Sequence, residues 1–97
     1  MVHYISKIRK LNGKITHLKL KHSLDFHEPE EEYSVAFIIF HLIKGTIKLK
    51  TALKIEGKQK YEEGSFVEVF EHQLGHPYLK TNPKIKDDDE IENLPLY

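Results

Sequence analysis

Residues 46 to 55 read Thr-Ile-Lys-Leu-Lys-Thr-Ala-Leu-Lys-Ile. Ile47, Leu49, Leu53 and Ile55 fall on odd positions, and Lys48, Lys50 and Lys54 on even ones. Successive strand side chains point to opposite faces, so this is a strand with one oily and one cationic side. The oily side needs a cover, and a chain of 97 residues supplies one core and about one covering layer. The cationic side is either a solubilising surface or a place where something negative binds. This one strand therefore sets the frame for the rest of the chain.

Residues 3 to 11 and 15 to 22 flank Asn12-Gly13 and read as a hairpin. A two-residue loop pairs Lys7 with Leu18 and mixes the faces. A three-residue loop with Gly13 left-handed pairs Tyr4 with Leu20, Ser6 with Leu18 and Ile8 with Thr16. Lys7, Arg9, His17 and Lys19 then share the other face. Register follows the buried face, so the three-residue loop is the expectation. Pro29, the acids Glu30 to Glu32, Lys44 and Gly45 mark the start and stop of a helix over Tyr33 to Lys44. Its middle is β-branched and aromatic, but the end signals outweigh that propensity. A polar turn region follows over Gly57 to Gly64. Further strands are expected over Ser65 to His72, with Phe66 and Phe70 opposite Val67 and Val69, and over Tyr78 to Thr81. The layout is β-β-α-β-β-β: an α+β fold, a mostly antiparallel five-stranded sheet with one helix packed on one face. No repeat or linker divides the chain, so residues 1–97 form a single domain, with an irregular, acidic tail over 84–97.

The net charge is zero, yet the charges are segregated. Residues 1 to 24 hold Lys7, Arg9, Lys10, Lys14, Lys19 and Lys21 without an acid. Asp25, Glu28, Glu30, Glu31 and Glu32 follow without a Lys or Arg between them. Residues 44 to 60 are basic again, and Asp87 to Glu92 is acidic. A neutral total opposes strong non-specific nucleic-acid affinity, although a basic face can hide inside a neutral sum. The chain has no cysteine, which excludes disulfides, thiolate metal sites and cysteine nucleophiles and fits a reducing compartment. Lys and Arg interrupt the apolar residues over 1 to 24, so no signal peptide is read there. The run Val35 to Ile43 is too short to span a bilayer. A soluble, cytoplasmic protein without membrane attachment is the expectation.

The order of several short motifs resembles a known family. Ile5-Ser6-Lys7-Ile8-Arg9-Lys10 with Gly13 and Ile15 resembles its opening hairpin, and Lys44-Gly45 the end of its short helix. Tyr78-Leu79-Lys80-Thr81 and then Asn93-Leu94-Pro95 resemble its closing strand and ending. The family is catalogued as domain of unknown function 3892 and is found in small proteins of Bacillus-type bacteria and their phages. The helix here is far more apolar than is usual for the family, and the acidic run stretches the spacing from Thr81 to Asn93. The resemblance implies no activity, cofactor or site residue.

Two surfaces are candidates for binding. Lys7, Arg9, Lys19, Lys21, Lys48, Lys50 and Lys54 fit one face of the sheet, suited to an acidic partner or, with Phe66 and Phe70 as stacking groups, to single-stranded nucleic acid. The plainer reading is a solvent face kept soluble by lysines. The second candidate is the helix. Phe37, Ile38, Ile39, Phe40, Leu42 and Ile43 exceed what one helix face can bury on a small sheet. Phe37, Phe40, His41 and Ile43 are the expected protein interface. Their cover is either the tail residues Leu94, Leu96 and Tyr97 or a second copy in a C2 homodimer, the alternative being a monomer whose fourth and fifth strands wrap round the helix.

The remaining chemistry is thin. Seven histidines are present, with His17, His22 and His27 five apart and His72 and His76 straddling Gly75, but no ligand spacing suggests a metal. Ser6, Ser23, Ser34 and Ser65 lie in no nucleophile context, and the glycines are scattered singly. No catalytic, cofactor-binding or metal residues are assigned, and no cofactor is expected. The reading is a non-enzymatic binding or regulatory module acting through protein contacts. A nucleic-acid-binding accessory protein using the lysine-rich sheet face is the second reading.

Overall fold

The computed structural model of the chain describes residues 2–71, 77–81 and 90–97. Among the described residues, six strands form one mixed sheet and one α-helix packs against it. The elements are β1 (Val2–Leu11), β2 (Lys14–Lys21), β3 (Glu31–Ser34), α1 (Val35–Lys44), β4 (Lys48–Lys54), β5 (Tyr61–Glu71) and β6 (Pro77–Thr81), then a short 3-10 turn over Glu90–Asn93. The strand order is β3-β2-β1-β4-β5-β6. The pair β1/β4 is parallel and every other neighbouring pair is antiparallel. Parallel neighbours need a crossover connection, and α1 makes it, carrying the chain from the β3 edge past β2 and β1 to β4.

The α+β class and the single helix agree with the sequence reading, but the sheet has a sixth strand. Glu31 and Glu32 belong to the extended edge strand β3, not to the first turn of a helix. Tyr33 lies opposite Leu18, so extended backbone lets it cover the core. The helix starts after Ser34, whose hydroxyl accepts the Phe37 amide at 3.2 Å. Gly45 closes it at φ 73°, with its N–H directed at the His41 and Leu42 carbonyls. Further on, β5 starts at Tyr61, before the expected Ser65, because the turn behind it is short: Ile55 N–H bonds Lys60 O at 2.9 Å, with Gly57 left-handed.

The hairpin also departs from expectation. Leu11 pairs with Lys14 around a two-residue loop, and both Asn12 (φ 53°) and Gly13 (φ 77°) are left-handed. Two irregularities then correct the faces. One lies between Arg9 and Lys10, where Thr16 is the extra residue on β2; the other lies between Ile5 and Lys7, where Ser6 is the extra residue on β1. Ile5 therefore faces Leu20 and Ile8 faces Leu18, while Lys7 faces Lys19. Bulges reconciled a tight turn with a buried face, an outcome that neither uniform register allowed.

The core lies between the sheet and α1. Ile5, Ile8, Leu18, Leu20, Ile38, Ile39, Leu49, Val67 and Leu79 are buried in it, together with Ile91 and Leu94 from the closing segment. That segment also completes the sheet. Pairing of β4 with β1 ends at Ile5, and Pro95–Tyr97 takes the neighbouring place further along β1. Ile8 N–H bonds Pro95 O at 2.9 Å, and Tyr97 N–H bonds Ile8 O at 3.1 Å. Ile8 is thus flanked on both sides, by β2 and by the closing segment.

Candidate interaction surfaces

The face of the sheet opposite α1 collects the cations. Strand register places Lys7 beside Lys19, Lys21 beside Tyr4, and Lys48 and Lys50 beside Val2 and Tyr4, all away from the core side chains. Arg9 and Lys54 join them through shared aromatic neighbours. The Arg9 guanidinium and the Lys19 ammonium lie 4.9 and 5.0 Å from the centre of the Tyr97 ring. Lys21 and Lys54 approach Tyr61 and Phe26, rings that stack on each other at 5.6 Å. All seven basic residues read from the sequence therefore share one side of the sheet.

Much of that side is already occupied by the protein's own acids. Lys7 Nζ donates to Glu30 Oε1 at 3.0 Å, Lys50 Nζ to Glu63 Oε1 at 2.7 Å, and Arg9 pairs with Glu32 at 3.8 Å. Lys21 is 1% exposed and donates to the Glu28 carbonyl beneath the Tyr61 ring. Glu30 is also held by the hydroxyl of buried Ser6, placed by its bulge. Burial raises the Glu30 pKa, but the bonds from Ser6 and Lys7 outweigh that and hold it below the usual carboxylate range. The Tyr97 hydroxyl depresses Glu32 and the Lys50 ammonium depresses Glu63. The acidic block following the first basic one was the sequence signal for this internal neutralisation. Charge segregation along the chain became charge pairing across the fold.

A different surface remains toward β4–β6. Phe66 is 43% and Tyr78 42% exposed, with Lys50 over Phe66 at 4.4 Å and Lys80 over Phe70 at 5.9 Å. Val67 is buried, so Phe66 and Phe70 do lie on the side away from the core, as their alternation required. Glu68 sits opposite Lys80 on this same side.

The outer stripe of α1 is bare of acids. Ile38 and Ile39 are buried, whereas Phe37, Phe40 and Ile43 are 47%, 52% and 66% exposed. His41 lies between the two rings, 4.4 Å from Phe37 and 5.4 Å from Phe40, and its Nδ1 is 2.9 Å from Thr46 Oγ1. Lys44 lies over Phe40 at 4.5 Å. Of the expected tail covers, Leu94 is buried in the core, Leu96 is 66% exposed and Tyr97 is across the sheet. The closing segment therefore does not cover the stripe. Its sequence clue was the excess of apolar residues around the helix.

The family model described as Protein of unknown function (DUF3892) matches residues 4–95. The chain belongs to this family. The DUF3892 match takes in the hairpin, α1, both sheet edges and most of the closing segment, the parts whose order carried the resemblance. No curated protein and no solved structure matches the chain significantly. Among the described residues, no group of three or more His, Cys, Asp or Glu side chains is arranged to hold a metal ion. His72 and His76 lie outside the described residues, as do Asp87 to Asp89 of the acidic run. No described helix is long and apolar enough to cross a membrane.

Proposed function

We propose that this DUF3892 protein is a non-enzymatic binding module that works through protein contacts, made by the outer stripe of α1. The observation that carries this reading is the partial exposure of Phe37, Phe40 and Ile43 on a ten-residue helix. Full burial of such side chains gains about 1.5–3 kcal/mol each, so a partner that covers the stripe is favoured. The chemistry fits a second copy of the chain. Glu31 precedes the N-terminal end of α1 and Lys44 closes the C-terminal end, both exposed. An antiparallel pair of helices brings each Lys44 toward the acidic end of the other copy and aligns the two macrodipoles favourably.

Three half-exposed side chains per copy make a modest contact once the cost of association is met, with a dissociation constant on the order of 10–100 μM. Sedimentation equilibrium across that range should show a rise toward twice the 11.4 kDa chain mass. Phe40→Glu with Ile43→Glu should remain at the single-chain mass. A wild-type chain that keeps the single-chain mass through millimolar concentration would refute self-association through α1.

A nucleic-acid reading is favoured by one observation, the exposed Phe66 and Tyr78 beside Lys50 and Lys80. Bases stack on such rings while ammonium groups meet phosphates. The Lys50–Glu63 pair and the nearby Glu68 work against it, so it ranks second. Titration of single-stranded DNA or RNA at low salt tests it. Binding that weakens steeply with salt and is lost in Phe66→Ala supports this reading, and no binding removes it.

A further inference from the structure

A cavity of about 160 Å³ opens between α1 and the β2–β3 side of the sheet. Leu20, Ile38 and Ile47 give it aliphatic walls, and Phe37 adds a ring. Polar groups gather around it: His3, His22 and His41, with Glu31 and Tyr33 from the edge strand. The His3 and His22 rings meet edge to face at 4.8 Å. The Tyr33 hydroxyl donates to Glu31 Oε2 at 2.5 Å, which leaves Oε1 as an acceptor. Burial, and then the neighbouring His22, keep the His3 pKa below its ordinary value, so its imidazole is neutral at pH 7.

We propose that this cavity binds a free, neutral, single-ring aromatic molecule carrying a hydrogen-bond donor, such as a simple phenol. Small-molecule sites combine apolar walls with a few placed polar groups, and this cavity has both. Its size selects a small guest: an aliphatic cavity on the order of 150 Å³ accepts benzene. The one carboxylate among the lining residues is that of Glu31. That carboxylate disfavours an anionic guest and accepts a hydrogen bond from a hydroxyl or ring N–H. The site shares Phe37, His41 and Glu31 with the proposed self-association surface, but its walls come from one copy of the chain.

The test is a titration of the full chain with p-cresol, toluene, benzoate and N-acetyltyrosinamide, followed by methyl and amide NMR. p-Cresol should shift Leu20, Ile38 and Ile47 saturably, with a dissociation constant on the order of 1 mM, while Val67 and Leu79 stay fixed. Toluene should bind about fivefold more weakly for want of the hydrogen bond. Glu31→Ala, at an exposed position on an edge strand, should erase that preference without loss of toluene binding. Ile47→Phe should fill the space and abolish both. Absence of saturable shifts with p-cresol and toluene at 20-fold the expected constant, or stronger binding of benzoate, overturns the proposal. Equal or tighter binding of N-acetyltyrosinamide overturns the assignment to a free ligand and points to a peptide side chain. Sedimentation reports the α1 contact separately, so either idea can fail alone.

Discussion

Two buried polar residues show how a side chain's fate depends on its neighbours. Lys21 and Thr51 are 1% and 0% exposed. Lys21 is compensated by the Glu28 carbonyl and the Tyr61 ring face. Thr51 faces Ile5 across β4 and β1, and its hydroxyl finds no hydrogen-bond partner among the described residues. An unmet buried hydroxyl costs about 1–3 kcal/mol. Thr51→Val keeps the branched shape and removes that cost, so urea denaturation should show a gain of about 1 kcal/mol. A loss of stability would mean that the hydroxyl is satisfied. Tyr97 makes the opposite case. Burial, then its bond to Glu32, push its pKa to about 12. The unfolded phenol loses its proton near pH 10, so the stabilisation is complete below that pH and is lost as pH rises toward about 12. Tyr97→Phe should flatten the fall in melting temperature over that interval. Some slope should persist, because Tyr33 and Tyr61 are also shifted upward, by the Glu31 hydrogen bond and by burial respectively.

At the scale of elements, strands were legible where alternation was clean and misplaced where a local irregularity intervened. Lys48–Lys54 lies within the alternating run, and the cationic residues share the side that their positions required. The hairpin was harder to place because the Asn12-Gly13 turn and the buried face demand different registers, and compensating bulges satisfy both. Nothing in a period-two pattern announces a bulge; the three-residue spacing of Ile5 and Ile8 was its faint trace. For β3, proline and three acids read as a helix start, yet Ser34 is the cap and Tyr33 pairs with Leu18 of β2. The apolar excess on α1 was readable, but the cavity on its flank was not, since it joins His3, His22 and Glu31 through the strand order. The capping assignment is testable. Ser34→Ala removes the acceptor for the Phe37 amide and should cost about 1 kcal/mol by thermal or urea unfolding. An unchanged stability would return the helix start to the acidic segment.

For the whole molecule, the unusual feature is that distant segments finish the same sheet. β4 serves the first half of β1, and Pro95–Tyr97 serves the position around Ile8. The 3-10 turn over Glu90–Asn93 adds Ile91, and the residue after it, Leu94, is buried beside it. The closing segment thus acts in two ways, as backbone partner to β1 and as apolar filling for the core. These roles fall on neighbouring residues with opposite exposure: Leu94 is 5% and Leu96 is 66% exposed. If the filling matters, Leu94→Ala should lose about 2–5 kcal/mol, as deletion of a core side chain does, because the vacated space is only partly closed by relaxation. Leu96→Ala should change stability by about 0.5 kcal/mol or less, since the bonds at Ile8 use the backbone of its neighbours Pro95 and Tyr97. Leu96→Pro supplies the contrasting case: it restricts the same backbone without touching the core, and it should destabilise more than Leu96→Ala. Denaturant midpoints for the three variants separate the two roles. Equal losses at Leu94 and Leu96 would mean that the segment acts through bulk contact alone, and no loss at Leu94 would detach it from the core.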